Sequence, residues 1–300
     1  MAADGGFPSA AAVADALSAS GYLPDTAIAS TVFLAGRLGK PVLVEGPAGT
    51  GKTELAKSVA QAAGARLIRL QCYEGLDEAK ALYEWNYRKQ LLRLQAAHGA
   101  DGEGPDGSSR DEWGRLHDDL FSESFLLERP LLAAIRADEP VVLLIDEVDR
   151  LEVETEALLL EVLSDYQVSI PELGTVTATQ VPRVFLTSNN SRDLSEALKR
   201  RCLYLHIGYP SPEREREIVL RRVPGISEHL AGQVAQVMQS LRALDLKKRP
   251  SVSETLDWAR TLLVLGAAEV GDEVLAATMN VLLKDDHDIA VAVKELAGGG

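Results

Sequence analysis

The sequence has few cysteines and no long apolar run, and each shortage excludes a class of protein. Two cysteines in 300 residues, Cys72 and Cys202, cannot form the framework of a small disulfide-rich secreted domain. No apolar run is long enough to span a membrane, and the first residues lack the basic stretch and apolar core of a signal peptide. We therefore expect a cytoplasmic protein without a transmembrane segment.

Basic residues are also scarce relative to acidic ones. The chain has 31 Lys and Arg residues against 45 Asp and Glu, which gives a formal net charge of −14. Because proteins that bind nucleic acids need a basic surface, this balance argues against nucleic acid as the main partner. The hydrophobic content of 46% is ordinary for a globular protein that buries one large core or two modest ones.

One glycine-rich segment indicates the class of ligand. It matches the pattern G-x-x-x-x-G-K-[ST], in which backbone N–H groups surround phosphate oxygens, the lysine reaches the β- and γ-phosphates and the hydroxyl contacts magnesium. A strand-like run precedes the segment and a helical pattern follows it, so the helix dipole also favours an anion there. The segment therefore predicts binding of a nucleoside triphosphate. Its residues are Gly46, Pro47, Ala48, Gly49, Thr50, Gly51, Lys52 and Thr53.

Short apolar runs recur along the first two thirds of the chain, with helical patterns between most of them. The runs cover residues 41–44, 66–70, 141–145, 184–187 and 202–207. Unbroken apolar strands that alternate with helices predict an α/β fold with a parallel sheet covered on both faces.

After Pro210 the strand signals stop and the pattern is helical to Leu296, starting with a serine cap and a proline at residues 211–212. We predict an α/β nucleotide-binding domain over residues 1–208 and a small all-helical domain over residues 209–300. Within the first domain, composition predicts disorder over residues 1–10 and a flexible loop over residues 99–110.

Two adjacent acids end the apolar run at residues 141–145. An acid at the carboxyl end of a strand in such a sheet lies in the ligand crevice. We predict that Asp146 holds magnesium, partly through water, and that Glu147 orients and deprotonates the attacking water. The alternative is a strand that simply meets a charged helix start.

Polar groups also accompany the last two apolar runs. Asn189 follows the run at residues 184–187, where an amide can hydrogen-bond the γ-phosphate or the attacking water, although asparagine also favours ordinary turns. Arg200 and Arg201 precede the last run. An arginine supplied to the γ-phosphate of a neighbour stabilises the charge of the transition state, whereas the alternative is a solvated basic turn.

These motifs, in this order along the chain, resemble the AAA+ ATPases: a phosphate loop, Asp-Glu, Thr-Ser-Asn, Arg-Arg-Cys and then a helical lid. Within that family, residues 146–163 and a predicted hairpin at residues 168–176 resemble the MoxR group. Residues 72–77 and 194–204 are most similar to the branch that accompanies aerobic carbon monoxide dehydrogenase. The resemblance covers residues 20–295.

The resemblance implies a P-loop AAA+ core with a five-stranded parallel sheet and a helical lid, in a chain that hydrolyses ATP with Mg²⁺ and works as a hexameric ring. It makes Glu147 the base, Asn189 the first sensor and Arg201 the trans-acting arginine finger, with Arg200 as the second choice. It implies that Thr53 and Asp146 bind Mg²⁺. In further roles, Gln71 would restrain Glu147, and the adenine would contact Tyr22 and Leu23.

The resemblance also implies a function, namely an ATP-driven chaperone that remodels or matures a partner metalloenzyme. The branch points to the metal centre of a molybdenum-containing carbon monoxide dehydrogenase or related hydroxylase, with a von Willebrand factor A protein as a further partner. Alternatives within the group are an activase for rubisco or for nitric oxide reductase. Two alternatives lie outside the MoxR group. One is a clamp-loader or helicase-like ATPase, which the acidic net charge disfavours. The other is an adaptor that does not hydrolyse nucleotide, which the presence of Glu147 disfavours.

The sequence departs from the family in the lid. The family carries an arginine, the second sensor, at a helix start near residues 251–255, where this chain has Ser-Val-Ser-Glu-Thr. Ser251 and Glu254 fit a capping box, so that glutamate has a structural role. The preceding turn offers three cations in place of the arginine: Lys247, Lys248 and Arg249.

Aromatic residues are scarce, with 3 Trp, 7 Tyr and 5 Phe, yet four of them lie between Tyr73 and Tyr87. Helical spacing predicts a helix through residues 83–94 that carries Tyr83 and Tyr87 on one face, a face that Trp85 widens. One interpretation is packing onto the sheet. The other is a surface that grips a substrate protein, since aromatic residues are favoured at interfaces. On the second interpretation, Trp85→Ala or Tyr87→Ala would leave folding intact.

Overall fold

The computed structural model describes residues 6–100 and 117–297. Helices Ala10–Ala19 and Thr26–Leu38 precede the first strand, and Ser9 caps the first of them by accepting the N–H of Ala12 at 3.1 Å. Phe7 packs against the core. The disorder predicted for residues 1–10 therefore does not extend to residues 6–10, because one apolar side chain and one cap hold them; residues 1–5 lie outside the described part of the chain.

Within residues 6–100 and 117–297 there are nine strands, numbered here in chain order. They are β1 (Val42–Glu45), β2 (Arg66–Gln71), β3 (Tyr83–Trp85), β4 (Leu126–Glu128), β5 (Val141–Asp146), β6 (Gln167–Ile170), β7 (Gly174–Thr177), β8 (Arg183–Ser188) and β9 (Leu203–His206). Five of them form a parallel sheet in the order β2-β5-β8-β1-β9. These are the five strands predicted from the apolar runs, each within two residues of the predicted ends.

Helices lie between and after the strands. Up to β9 they are Lys52–Ala62, Glu78–Ala81, Tyr87–Ala100, Pro130–Ile135, Val153–Asp165 and Glu196–Arg201, with 3₁₀ turns at Glu123–Phe125 and Val148–Arg150. After β9 they are Pro212–Arg222, Glu228–Ala243, Val252–Val264, Asp272–Leu282 and Asp286–Ala297.

The central strands are apolar apart from polar residues at their ends, because both faces of the sheet are covered. Every residue of β1 and β5 is buried. Alternate side chains enter two different cores: Leu43 and Leu143 point to one face, and Val42 and Val142 to the other. The predicted α/β fold with a parallel sheet buried on both faces is confirmed.

The strand register brings the carboxyl ends of the strands to one edge of the sheet. Gln71 at the end of β2 pairs with Asp146 at the end of β5, and Glu45 at the end of β1 pairs with Ser188 of β8 and His206 of β9. The polar residues that follow these strands in the sequence therefore meet in one place, directly above the sheet.

The aromatic segment differs from its prediction. Residues Tyr83–Trp85 form β3, which pairs antiparallel with β4, and the helix begins only at Tyr87. Trp85 is 7% exposed and its ring contacts Phe121 edge-on at 5.1 Å. The prediction of a helix through Tyr83 and Trp85 is wrong because a two-residue period, with alternate side chains on opposite faces, competes with helical spacing over so short a segment. Most of the predicted loop at residues 99–110 lies outside the described residues.

The hairpin predicted at residues 168–176 is present as β6 and β7. After β9 the chain is helical, and its helices enclose a third core around the fully buried Trp258, whose indole N–H donates to Thr278 at 2.8 Å. The boundary predicted at residues 208/209 falls between β9 and this helical part, and it remains a prediction. No helix in the described part of the chain is both long and apolar enough to cross a membrane.

Candidate functional site

The predicted phosphate loop joins β1 to the helix Lys52–Ala62, and its backbone conformation and close packing require glycine at two positions. Gly46 has a φ of +150°, and a Cβ there would lie 2.0 Å from the carbonyl oxygen of Ile207. Gly49 has a φ of +70°, and its Cβ would lie 2.2 Å from the hydroxyl of Ser251. Only glycine permits both the conformation and the close approach. The loop is therefore packed between β9 and the start of the helix Val252–Val264.

Lys52 extends across the centre of this loop. Its ammonium donates to the carbonyl oxygens of Gly46 and Pro47, both at 2.7 Å, and to Oδ1 of Asn189 at 2.9 Å. The residue is 6% exposed. Burial lowers the pKa of Lys52 below its ordinary value, against the opposing attraction of Asp149, Asp146 and Glu147. The structure thus brings two predicted site residues, Lys52 and Asn189, into contact although they are 137 positions apart in the sequence.

Asp146, at the end of β5, is 3% exposed and is surrounded by donors. Its Oδ1 accepts the hydroxyl of Thr53 at 3.0 Å and also the hydroxyl of Thr187, from β8. Its Oδ2 accepts two hydrogen bonds from Arg69, at 3.0 Å from Nε and 2.6 Å from a terminal nitrogen. The two residues predicted to hold magnesium, Thr53 and Asp146, are therefore in direct contact.

Glu147 follows in a conformation that is uncommon outside glycine, with φ 59° and ψ 49°. Its backbone N–H donates to the hydroxyl of Thr187 at 2.9 Å, and its Oε2 accepts Nε2 of Gln71 at 3.2 Å. The same oxygen lies 2.9 Å from Nε of Arg150. The predicted contact between Gln71 and Glu147 is present. Left-handed backbone at a non-glycine residue persists only where its surroundings hold it, which motivates a functional role.

A buried carboxylate that the sequence reasoning did not single out holds the segment after β8. Asp149, 4% exposed, accepts the backbone N–H of Asn189 at 3.3 Å and that of Ser191 at 3.0 Å. Burial alone would raise the pKa of Asp149, but the hydrogen bonds from Ser191 and Asn189 outweigh it and hold the pKa below its ordinary value. Asp149 thereby places Asn189 beside Lys52.

A cavity of about 460 Å³ opens beside the phosphate loop. Its lining includes Tyr22 and Leu23, the two residues predicted to contact the adenine, together with Gly51. Its volume lies within the usual range of small-molecule pockets. Burial raises the pKa of the Tyr22 hydroxyl, so the group stays neutral. The structure therefore brings the predicted adenine contacts to the phosphate loop, in a space of suitable size.

The helical part closes this cavity with arginines from one helix. The lining includes Arg214, Arg221 and Arg222, all from the helix Pro212–Arg222. Arg222 lies 2.7 Å from the carboxylate of Glu54, which directly follows the phosphate loop. The sequence motifs did not indicate these arginines, because the family's lid arginine is expected in a later helix, near residues 251–255.

The start of the helix Val252–Val264 agrees with its prediction. Ser251 and Glu254 form the capping box, and Ser253 lines the cavity beside the loop. The three cations considered as substitutes for the lid arginine line a different cavity, together with Asp285 and Asp288. They are Lys247, Lys248 and Arg249.

The predicted finger residues are exposed at the end of the helix Glu196–Arg201. Arg201 donates to the hydroxyl of Ser164 at 2.7 Å and to the carbonyl of Ala197 at 3.1 Å. Neither finger residue contacts the phosphate loop or its acids within the described part of the chain. Both are free to approach another molecule at the cost of surface contacts alone.

Two further residues of the site were missed, and their positions carry a signal. Arg69 lies two residues before Gln71 in β2, so both side chains leave the same face of the strand. Thr187 lies two residues before Asn189, at the end of β8. A search for polar residues at even spacing from the predicted ones would have found both.

The residues at this edge fit a nucleoside triphosphate with Mg²⁺. A buried ammonium lies in the glycine loop, and the Thr53 hydroxyl and Asp146 carboxylate are oxygen ligands of the kind Mg²⁺ prefers. Over the described ranges, no group of three or more His, Cys, Asp or Glu residues could hold a metal ion on its own. Mg²⁺ is typically bound by one or two carboxylates together with phosphates.

The family model of the ATPase family associated with various cellular activities (AAA) matches residues 42–209. The denitrification regulatory protein NirQ of Pseudomonas aeruginosa is 24% identical over 272 residues, covering 87% of this chain and 89% of that protein. NirQ of Stutzerimonas stutzeri is 22% identical over 266 residues, covering 86% and 84%. The RuvB Holliday junction branch migration motor of Thermotoga maritima aligns with a TM-score of 0.45 at 18% identity, over 93% of this chain and 69% of that one.

Proposed function

The chain belongs to the ATPase family associated with various cellular activities, and from that premise we propose a ring-forming MoxR-type ATPase that remodels or matures a partner metalloenzyme. Hydrolysis of ATP with Mg²⁺ follows from the family. The observation that supports ring formation is the convergence of Lys52, Asp146, Glu147 and Asn189 at one sheet edge, while Arg200 and Arg201 remain on the surface. Such a site is complete only when a second copy supplies an arginine.

The roles proposed for these residues follow from their contacts. When bound, Mg²⁺ supplies positive charge to the phosphates, and Thr53 and Asp146 would hold it. Lys52, already bonded to Asn189, places a cation and an amide together where the terminal phosphate would lie. Glu147 would accept a proton from water once Gln71 and Arg150 release its carboxylate. We therefore propose Glu147 as the base and Asn189 as the residue that distinguishes triphosphate from diphosphate.

The client of the ATPase is proposed from similarity. The segments at residues 72–77 and 194–204 favour a molybdenum-containing carbon monoxide dehydrogenase or a related hydroxylase, with a von Willebrand factor A protein as partner. The names of the two NirQ relatives support a second candidate, a nitric oxide reductase, because reduction of nitric oxide is a step of denitrification. Both candidates are metalloenzymes, so the proposed class of client is the same.

We propose two surfaces as candidates for gripping a client. One is the exposed start of the helix Tyr87–Ala100, where Tyr87 is 65% and Leu91 56% exposed. The other is the β6–β7 hairpin, which follows the helix after Asp146 and Glu147. Trp85 is no longer a candidate because it is buried in the core.

Co-expression with each candidate client tests the proposal. We expect the activity of one metalloenzyme to rise with the wild-type ATPase and to stay at its basal level with Glu147→Gln. Glu154→Gln, an exposed acid in the helix that follows, is the matched control and should support maturation fully. Equal client activity with and without the ATPase, for both metalloenzymes, would contradict the proposed function. ATPase activity stimulated by DNA would favour the clamp-loader or helicase-like alternative instead.

A further inference from the structure

Arg69 brings a positive charge onto the carboxylate that we assign to Mg²⁺. Two of its nitrogens lie 3.0 and 2.6 Å from Oδ2 of Asp146. The Asp146 side chain is 4% exposed, whereas the Arg69 side chain is 48% exposed. Among the described residues, Arg69 is the one cation that makes an ion pair with Asp146. The arginine thus reaches inwards from the edge strand of the sheet, with solvent on its other side.

The other partners of Asp146 are neutral. Thr53 and Thr187 donate hydroxyl hydrogens to its Oδ1. A neutral hydroxyl can stay close to a carboxylate that holds a metal, but the guanidinium on Oδ2 of the same carboxylate repels a second cation. Arg69 and Mg²⁺ therefore compete for Asp146.

Arg69 also reaches the proposed base through one intermediate residue. A terminal nitrogen of Arg69 donates to Oε1 of Gln71, and Nε2 of Gln71 donates to Glu147 at 3.2 Å. The amide of Gln71 is thereby fixed in one orientation, with its oxygen towards Arg69 and its nitrogen towards Glu147. Loss of the Arg69 contact would leave Gln71 free to turn and release the carboxylate of Glu147.

We propose that Arg69 is a positioning residue that holds Asp146 and Gln71 through its guanidinium and leaves Asp146 when Mg²⁺ binds there with the nucleotide. Its half-exposed side chain has solvent to move into. The departure of one side chain then couples occupation of the magnesium site to release of the base. The inference rests on the Mg²⁺ role given to Asp146 in the proposed function.

The test is the Mg²⁺ dependence of nucleotide binding, measured with a fluorescent ADP analogue so that no turnover occurs. For Arg69→Gln we expect the half-saturating Mg²⁺ concentration to fall by about threefold or more, as for removal of a partly exposed ion pair. Arg69→Lys keeps the charge and should restore the wild-type value to within about twofold. An unchanged or higher half-saturating concentration in Arg69→Gln would overturn the inference.

Arg66→Gln is the matched control. Arg66 lies on the same strand, is exposed, and pairs with Glu139 at 3.5 Å at the far end of β2 from the site. Its Mg²⁺ dependence should match the wild type. A fall equal to that of Arg69→Gln would mean that only the net charge of the strand matters, and would contradict a specific role.

Two further measurements separate this inference from its premise and from misfolding. Asp146→Asn should weaken the effect of Mg²⁺ on nucleotide binding, and if it does not, the proposed magnesium role of Asp146 is wrong. If Asp146→Asn weakens that effect but Arg69→Gln leaves the Mg²⁺ dependence unchanged, only the inference about Arg69 is wrong. In the wild-type protein, the Nε–H NMR signal of Arg69 should shift when Mg²⁺ is added to the ADP complex. A signal that does not move would contradict the departure of Arg69, whatever the stability of the variants.

Discussion

The groups that we propose to act on a terminal phosphate form two sets, and the two sets differ in the contacts that hold them. Lys52, Asp146 and Asn189, whose first two members are buried side chains, take part in partly buried hydrogen bonds between distant segments of the chain. Arg200 and Arg201 lie on an exposed helix end, and the contacts of Arg201 are with Ser164 and with its own helix. Folding of a single chain is sufficient to bring the residues of the first set together. The second set has no phosphate to act on unless another copy brings one.

The contrast indicates where the energy for organising the site comes from. In the first set, Asp149 and Thr187 fix the positions of Asn189 and Glu147 by accepting hydrogen bonds from their backbone N–H groups. Such preorganisation lets charged groups act without rearranging during the reaction. In the proposed function the second set is ordered only on assembly, so we expect turnover to depend on assembly as well as on nucleotide.

The largest effect should come from the exposed set. Arg201→Ala should lower kcat by about 10³-fold or more while nucleotide binding is retained, as for loss of a trans-acting arginine. Lys199→Ala, on the same helix and in an ion pair with Asp193 at 3.6 Å, is the control and should keep normal turnover. Steady-state ATPase assays on both variants make the comparison. If Arg200→Ala is the inactive variant and Arg201→Ala is not, the finger is the neighbouring residue.

Within the buried set, Glu147→Gln should separate binding from chemistry. We expect nucleotide affinity to be kept and kcat to fall by about 10²- to 10⁴-fold, since the amide cannot accept the proton. Glu154→Gln should retain the wild-type kcat. Near-normal turnover in Glu147→Gln would show that the base lies elsewhere.

The same contrast between interior and surface separates two aromatic residues that are neighbours in sequence. Trp85→Ala should destabilise the protein by about 3–5 kcal/mol, because it empties a packed site in the core. Tyr87→Ala should change the free energy of unfolding by no more than about 0.5 kcal/mol, because that side chain is exposed. Urea unfolding of the two variants measures both values. Equal stabilities would mean that Trp85 does not pack as the structure shows.

The fold and the buried set were predictable because their signals are local. Apolar runs bounded by polar residues gave the five strands of the sheet, and parallel pairing brings their carboxyl ends together. Asp146, Glu147 and Asn189 each directly end or follow such a strand, so their meeting followed from topology.

The parts that were not predicted depend on contacts between distant segments. β3 and β4 have three residues each, and neither contains a periodic signal longer than one alternation. Arg69 appears in the sequence as one more charged residue on an edge strand, and only its distance to Asp146 reveals a role. Likewise, arginines of the helix Pro212–Arg222 line the cavity. Their place there could not be predicted, because it depends on the contact between Arg222 and the distant Glu54.

Mixing two inactive variants tests most directly whether one copy completes the site of another. Arg201→Ala retains the buried set and lacks the finger, whereas Lys52→Ala retains the finger and cannot use its own phosphate loop. We predict that each variant alone is inactive and that mixed assemblies recover ATPase activity, because some interfaces pair an intact loop with an intact arginine. Mixed assemblies that demonstrably form and remain as inactive as either parent would contradict the account.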